Sequence, residues 1–125
     1  MKVADSGYIV EGLLRRKELL EEDILITVDL ALYEAVNAVW RHQFLLKDLS
    51  DGVPYVSILY GLIESGRIRV IRPGEELMKR GYSLAAKNYR SIYDAIFIAL
   101  ALELTSDLAT FDRRQAELLQ KEIGK

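Results

Sequence analysis

Two kinds of hydrophobic pattern alternate along this chain. Residues 24–28 read ILITV, a continuous apolar and mostly β-branched run that is typical of a strand buried on both faces of a sheet. Positions 32, 35, 36, 39, 40 and 44 are apolar at steps of three and four residues, which predicts a helix with one buried stripe. Residues 92–104 are apolar almost all round, so a helix there is expected to lie in the core.

These patterns, and the Gly, Pro and capping residues between them, predict alternating strands and helices. The predicted strands cover Lys2–Asp5, Ile24–Val28, Ile68–Ile71 and Asp107–Thr110. The predicted helices cover Tyr8–Glu21, Asp29–Lys47, Val53–Ser65, Glu75–Asn88, Ile92–Leu104 and Arg113–Ile123. This alternation predicts an α/β fold of three layers, with a short, mainly parallel sheet of four to five strands between helices. The 125 residues are expected to form a single domain, 1–125.

The composition excludes several kinds of functional site. The chain has no cysteine, which excludes a disulfide scaffold, a thiolate zinc site and a cysteine nucleophile. Its single histidine, His42, follows no nucleophile motif. The formal net charge is -2, so any contact with nucleic acid has to come from a local basic patch. No apolar run reaches the length of a membrane span and no signal-peptide pattern is seen, so a cytoplasmic protein without membrane contact is expected.

Four acids fall near the carboxyl ends of the predicted strands. Asp5 ends the first strand and Asp112 follows the fourth. Glu34 and Asp94 lie in the early turns of two helices. Parallel strands bring their carboxyl ends to one edge of the sheet, where α/β proteins bind ligands. Carboxylates gathered there repel one another unless a cation neutralises them, and oxygen ligands suit Mg²⁺ or Mn²⁺. Such an ion serves phosphodiester hydrolysis, because it binds phosphate oxygens and lowers the pKa of water.

Each acid except one also has a purely structural explanation. Asp5 can cap a turn, and Asp94 fits the pattern of a capping box. Asp112 can be the N-cap of the last helix. Glu34 lacks such an explanation because Asp29 already caps its helix. Taken singly, Asp94 and Asp112 fit the structural interpretation better, whereas the four acids together favour a metal site.

Four segments, taken together, resemble the PIN domain family and in particular its VapC-like toxin branch. They read VADSGY at 3–8, LYEAVNAVW at 32–40, YDAIFIALALEL at 93–104 and LATFDRR at 108–114. Each segment is a weak signal alone, but the four in this order span nearly the whole chain. The resemblance implies a PIN-like fold and a Mg²⁺- or Mn²⁺-dependent endoribonuclease. It also implies the toxin of a type II toxin–antitoxin pair, inhibited by a cognate antitoxin protein.

The resemblance assigns roles to individual residues. The acidic site of the family maps onto Asp5, Glu34, Asp94 and Asp112, of which Asp5, Asp94 and Asp112 hold the metal ion. Glu34 then completes the metal shell or helps to deprotonate the attacking water, and hydrolysis leaves a 5′-phosphate and a 3′-hydroxyl. The positions that support the acids map onto Ser6, Asn37 and Thr110.

RNA and protein partners follow from the same resemblance. The basic residues expected to hold RNA are Arg41, Lys87, Arg90, Arg113 and Arg114, with an ordinary solvated surface as the alternative. A homodimer is expected, as is common in the family. The apolar side chains of Val53–Ile63, with Tyr55, Ile58, Leu59 and Leu62, are available for a dimer interface or an antitoxin groove, unless they form part of the monomer core.

Other functions that use clustered acids fit the sequence less well. A phosphoacceptor receiver domain needs two adjacent acids near the first strand, and these are absent. A dehalogenase-type phosphatase needs a second Asp two residues after Asp5, where the chain has Gly7. The remaining alternative is a catalytically weak PIN domain that acts as an RNA-binding or assembly module. Because all four acids are present, the sequence favours the nuclease.

Overall fold

Four short parallel strands form the centre of the computed structural model. They are β1 (Lys2–Ala4), β2 (Leu25–Val28), β3 (Ile68–Ile71) and β4 (Leu108–Ala109). Their order across the sheet is β3-β2-β1-β4, and every neighbouring pair is parallel. Every residue of β2 is buried, as expected of a strand that is covered on both faces. The predicted α/β fold with a parallel sheet of four to five strands is therefore confirmed.

Two groups of helices cover this sheet. The helices are α1 (Ser6–Leu14), α2 (Glu18–Glu21), α3 (Leu30–Phe44), α4 (Val53–Glu64), α5 (Glu75–Asn88), α6 (Ile92–Leu104) and α7 (Arg113–Ile123). In one group α1 packs on α3 and α4, which in turn contact β2 and β3. In the other group α6 lies on β1, β2 and β4 and also contacts α5 and α7. All of residues 95–101 are buried, which explains why α6 is apolar nearly all round.

The order of strands reverses at β1, and this reversal positions the site. The chain adds β2 and β3 on one side of β1 and returns to place β4 on the other side. In open α/β sheets, the crevice at such a switch opens at the carboxyl ends of the strands. The end of β1 is further held by Thr27, whose fully buried hydroxyl donates to the carbonyl oxygen of Ala4 at 2.8 Å. Asp5 follows directly.

The single helix predicted over Tyr8–Glu21 is wrong, because this segment forms two helices. α1 ends at Leu14 and α2 begins at Glu18. A Cβ on Gly12 would lie 2.5 Å from Cγ of Leu20, so glycine is what allows α2 to approach α1 this closely. Leu20 is thereby buried. The apolar spacing of this segment fits a continuous helix equally well. The helix is interrupted because the packing of Leu20 against Gly12 requires α2 to fold back on α1. The other predicted elements are present, with modest differences at their ends.

The apolar residues of α4 divide between core and surface. Leu59 is 1% exposed and belongs to the hydrophobic core, so of the two alternatives core packing applies to this residue. Leu62 packs against the same core, whereas half of the Ile58 side chain is exposed. Tyr55 is half-buried. None of the helices has the length and apolar character that a membrane crossing requires.

Glycine at position 12 should be necessary for full stability. We expect Gly12→Ala to lower the free energy of unfolding by about 1–3 kcal/mol, because the added methyl overpacks against Leu20. Gly61 provides a matched control, since a Cβ there meets no heavy atom within 4 Å. Gly61→Ala should raise the free energy of unfolding by about 0.5–1 kcal/mol, because alanine favours the helix. Urea unfolding measures both, and equal effects would contradict the close approach of α2 to α1.

Candidate active site

A cleft of about 430 Å³ lies at the carboxyl ends of β1 and β4. All four predicted acids line it, together with Glu11, which the sequence analysis did not single out. The other lining residues are Ser6, Gly7, Arg16, Tyr93, Phe97, Phe111 and Gln115. The fold therefore gathers acids that lie far apart in the chain into one concave surface.

Asp5 is the most enclosed of these acids, with 9% of the residue exposed. One oxygen, Oδ1, caps α1 by accepting a hydrogen bond from the backbone N–H of Tyr8 at 3.0 Å. The other oxygen accepts a hydrogen bond from the hydroxyl of Thr110. Burial raises the pKa of Asp5 above its ordinary value, and the charges of Asp112 and Asp94 add to the rise. The hydrogen bonds from Thr110 and Tyr8 act in the opposite direction on this pKa.

Thr110 connects Asp5 to Asp112. Its Oγ1 accepts the backbone N–H of Asp112 at 3.0 Å while its own proton goes to Asp5. Asp112 is the N-cap of α7, where its Oδ1 accepts N–H groups of Arg114 at 2.9 Å and Gln115 at 3.4 Å. Asp5 and Asp112 thus each use one oxygen as a helix cap while they line the cleft.

Ser6 and Asn37, both expected to support the acids, occupy different environments. Ser6 Oγ donates to Glu34 Oε1 at 2.5 Å, which joins α1 to α3 at the cleft. Asn37 is exposed and lies instead in a groove between α3 and α4, beside Trp40. A residue three positions further along a helix is rotated by about 60° from the first, and here this rotation turns Asn37 away from the cleft. The structure brings Ser6 and Thr110 to the acids, but not Asn37.

Arg90 is enclosed beside the acids, although it is one of the residues expected to hold RNA. Its side chain is 10% exposed, and Nη2 lies 3.4 Å from Asp94 Oδ2 and 3.9 Å from Asp112 Oδ2. The same nitrogen donates to Gln115 Oε1 at 3.2 Å. Arg90 Nε is buried without a partner. This arginine therefore faces the acids and not the solvent, where an RNA phosphate would meet it.

Gln115 is a site residue that the sequence analysis missed. It is 2% exposed, and its amide donates to the carbonyl oxygen of Asp94 at 3.0 Å. Its position three residues after Asp112 fits a capping partner of that acid. Its side chain instead links the first turns of α6 and α7, because the packing of these helices encloses it.

The other basic residues expected to hold RNA lie outside the cleft, whereas Arg16, which was not expected there, lines it. Lys87 pairs with Glu122 at 3.1 Å on the surface of α5 and α7. Arg41, Arg113 and Arg114 are exposed and do not line the cleft. Arg16 does line it, with Nε at 3.4 Å from Glu11 Oε1. No sequence signal marked Arg16, because its position depends on the end of α1 at Leu14.

The carboxylate groups of the cleft are of the chemical type that binds a hard divalent cation. Carboxylate oxygens are the ligands that Mg²⁺ and Mn²⁺ prefer, and acids outnumber bases on the lining of the cleft. However, no three carboxylate or imidazole groups lie close enough together to share an ion. Asp94 is turned to Arg90 and Glu34 to Ser6. Binding an ion therefore requires these partly exposed side chains to turn toward Asp5.

In metal-free protein, Asp5→Asn should raise the melting temperature at neutral pH. Because the pKa of Asp5 is raised in the folded state, its ionisation weakens folding at pH values above both the folded and the unfolded pKa. The gain should therefore disappear as the pH falls through that pKa window. Asparagine still caps a helix well, so the α1 cap remains. Thermal unfolding in EDTA across this pH range measures the effect. The exposed Asp107→Asn serves as control, and a lower melting temperature for Asp5→Asn at neutral pH would contradict the expectation.

Loss of Arg90 should destabilise the fold. Arg90→Met leaves Gln115 Oε1 without its donor and removes the positive charge beside Asp94, so the free energy of unfolding should fall by about 1–3 kcal/mol. Urea unfolding measures this change. Arg80→Met, at an exposed position of α5, should change stability by less than about 0.5 kcal/mol. Equal effects at the two positions would show that the buried contacts of Arg90 contribute nothing.

Known proteins match this chain in sequence and in structure. Residues 7–119 match the PIN domain. Ribonuclease VapC3 of Pyrobaculum aerophilum is 34% identical over 95 residues, which cover 74% of this chain and 70% of that protein.

Two solved structures share the fold. PAE2754 from Pyrobaculum aerophilum matches with a TM-score of 0.73 at 18% identity, covering 99% of this chain and 96% of that one. Mycobacterium tuberculosis VapC20, described as a sarcin-ricin loop cleaving toxin, matches with a TM-score of 0.70 at 15% identity, covering 94% of each chain. Because the PIN domain match spans nearly all of the sequence and VapC3 is a relative over most of its length, this chain belongs to the PIN domain family, in its VapC-like branch.

Proposed function

We propose that this PIN domain is a metal-dependent endoribonuclease and the toxin of a type II toxin–antitoxin pair. The observation that carries the proposal is the cleft at the switch in strand order, which is lined by Asp5, Glu34, Asp94 and Asp112. The likeness to Ribonuclease VapC3 supports RNA hydrolysis as the activity, and the likeness to the VapC20 toxin supports the biological role.

Asp5, Asp94 and Asp112 are the residues that would hold Mg²⁺ or Mn²⁺. An ion bound there supplies positive charge next to a phosphodiester and lowers the pKa of water. Thr110 holds the Asp5 carboxylate in one orientation, and Asp112 is fixed by its cap on α7. Side chains that are already fixed lose little conformational freedom when they bind an ion. Asp5 and Asp112 therefore form the part of the site that is in place before the ion binds.

Glu34 is the residue proposed to accept a proton from the attacking water. Ser6 holds its Oε1, while its second oxygen has no protein partner and can accept a proton. The attack forms a bond from the water oxygen to phosphorus and breaks the bond between phosphorus and the 3′ oxygen, which takes up a proton from solvent. The products are a 5′-phosphate and a 3′-hydroxyl.

We propose that basic residues close to the cleft bind the RNA backbone. Arg113 and Arg114 are exposed directly after Asp112, and Arg16 lies on the wall of the cleft. Arg41 and Lys87 lie further away and contribute through longer-range attraction. Each phosphate contact releases bound counterions, so binding through these few contacts should weaken as salt rises, with a modest slope that reflects their small number.

A cognate antitoxin and a homodimer form part of the proposal. The surface available for protein contact is an apolar groove of about 540 Å³ between α3 and α4. Its aromatic residues Tyr33, Trp40 and Tyr60 are 77%, 48% and 46% exposed. Exposed aromatic side chains of this kind are typical of protein interfaces.

A second candidate function is a catalytically weak PIN domain that binds RNA or assembles with a partner. The specific observation in its favour is that the carboxylates do not close around an ion without rearrangement. The two functions differ in whether added metal ions produce RNA cleavage.

RNA cleavage by the purified protein should depend on a divalent ion and on the acids. We expect tRNA or ribosomal RNA to be cut with Mg²⁺ or Mn²⁺, but not with EDTA, and Asp5→Asn and Asp94→Asn to abolish the cutting because they remove ion ligands. Glu34→Gln should lower the rate by about 10²- to 10⁴-fold. Gel analysis of the RNA products measures all three, with Asp107→Asn as the active control.

Two other outcomes would change the conclusion. Equal cleavage by the wild type and the Asp variants would come from a contaminating nuclease and remove the support for the activity. Intact RNA together with binding that the substitutions do not alter would favour the RNA-binding module.

A further inference from the structure

Arg90 is an enclosed cation that the proposed reaction does not use. Its side chain is 10% exposed, so the guanidinium is not offered to an RNA phosphate at the surface. Taking a guanidinium out of water costs free energy unless its N–H groups find acceptors. In Arg90 this compensation is incomplete, because Nε is buried without a partner. The enclosure of this arginine therefore points to a role in the site beside it.

The guanidinium faces carboxylate oxygens that the helix caps leave free. Asp112 Oδ1 accepts backbone N–H groups of α7, and its other oxygen, Oδ2, lies 3.9 Å from Arg90 Nη2. Asp94 Oδ2 lies 3.4 Å from the same nitrogen. The proposed ion needs oxygens from both of these acids. The guanidinium and the ion are therefore alternative partners of the same oxygens.

Gln115 holds the guanidinium in place independently of the two carboxylates. Its Oε1 accepts a hydrogen bond from Arg90 Nη2 at 3.2 Å, and its amide donates to the carbonyl oxygen of Asp94 at 3.0 Å. Gln115 is 2% exposed, so packing fixes its orientation. By contrast, the side chains of Asp94 and Asp112 are 50% and 48% exposed. The carboxylates can therefore turn away from the guanidinium while the guanidinium stays where it is.

We propose that Arg90 is a positioning residue that competes with the divalent ion for Asp94 and Asp112. Without the ion, the guanidinium holds both carboxylates, and the acids do not gather around one point. Binding of the ion exchanges this partner, so Arg90 sets the ion concentration at which the site becomes complete. The inference rests on the proposed metal-dependent ribonuclease function and adds a means of regulating it.

Competition predicts the direction in which loss of Arg90 changes ion binding. Two cations that share carboxylates weaken the binding of one another, so removing one of them strengthens the binding of the other. An arginine that prearranged the acids for the ion would have the opposite effect, because its loss would weaken ion binding. The sign of the change therefore separates competition from a merely structural role.

The test measures ion binding without RNA. Mn²⁺ is titrated into the protein, and the free ion is followed by electron paramagnetic resonance. Arg90→Met removes the competing charge and should lower the dissociation constant of Mn²⁺ by about 5- to 150-fold. Arg90→Lys keeps the charge and should bind Mn²⁺ much as the wild type does. Asp94→Asn should weaken binding in the wild-type and Arg90→Met backgrounds alike, which identifies the measured ion as the one in the cleft.

A matched control and a second readout keep the titration interpretable. Arg80→Met makes the same change in net charge at an exposed position of α5, and it should leave the dissociation constant unchanged. Saturating Mn²⁺ should raise the melting temperature of Arg90→Met by more than that of the wild type, because a ligand that binds more tightly stabilises the folded state more.

A measurement on the wild type does not depend on how well the variant folds. The Nε–H of Arg90 is buried and gives a nuclear magnetic resonance signal that Arg90→Lys lacks, which assigns it. Saturating Mg²⁺ should shift this signal, because both carboxylates leave the guanidinium. In Asp94→Asn the same addition of Mg²⁺ should shift it less.

The outcomes separate this proposal from the proposed function. Equal or weaker Mn²⁺ binding by Arg90→Met would overturn the competition, as would an Arg90 signal that saturating Mg²⁺ does not move. If the acids still support metal-dependent RNA cleavage in that case, the nuclease stands without this role for Arg90. Tighter Mn²⁺ binding by Arg90→Met, in a protein that cuts no RNA, would reject the nuclease and support the competition. Absence of Mn²⁺ binding in both proteins would overturn the two together.

Discussion

The hydrogen bond from Thr110 to Asp5 joins the ends of two adjacent strands through residues 105 positions apart in the chain. Asp5 is buried at this point, and an isolated buried carboxylate is strongly destabilising. Its two oxygens are instead occupied by the Thr110 hydroxyl and the first turn of α1. The same threonine orients Asp112 through its backbone N–H. Backbone pairing already holds the ends of β1 and β4 together, since Asp5 N–H donates to the carbonyl oxygen of Ala109, and the threonine contact sets the orientation of the Asp5 carboxylate at the cleft.

Two of the four acids of the site also cap helices. Asp5 and Asp112 cap α1 and α7 and also line the cleft. Asp94 differs, because Ser91 accepts its backbone N–H while the Asp94 carboxylate is turned to Arg90. The structural and functional interpretations of these acids are therefore compatible. In each of these two caps one oxygen accepts backbone N–H groups, while the second oxygen faces another side chain of the site, Thr110 for Asp5 and Arg90 for Asp112.

Arg90 supplies positive charge to the acidic site from within the protein. Its guanidinium lies between Asp94, Asp112 and Gln115, so part of the repulsion among the acids is compensated without a bound ion. Burying an arginine in this way stabilises the fold only if its hydrogen bonds are made, and the partnerless Nε shows that this set is incomplete. Asp5 lies outside this group, and its pKa remains raised.

The sequence alone determined the fold class, because hydrophobic periodicity decides which residues are buried. It also determined that the four acids line one cleft, because the carboxyl ends of parallel strands share one edge of the sheet. It did not determine which side chains meet at that edge. Burial of Arg90 and Gln115, the approach of Arg16 to Phe111 and the rotation of Asn37 away from the cleft all depend on how helices distant in sequence cross. The break before α2 depends likewise on the contact of Gly12 with Leu20. Only the tertiary structure decided these contacts, because local patterns act within a few residues whereas packing joins residues from opposite ends of the chain.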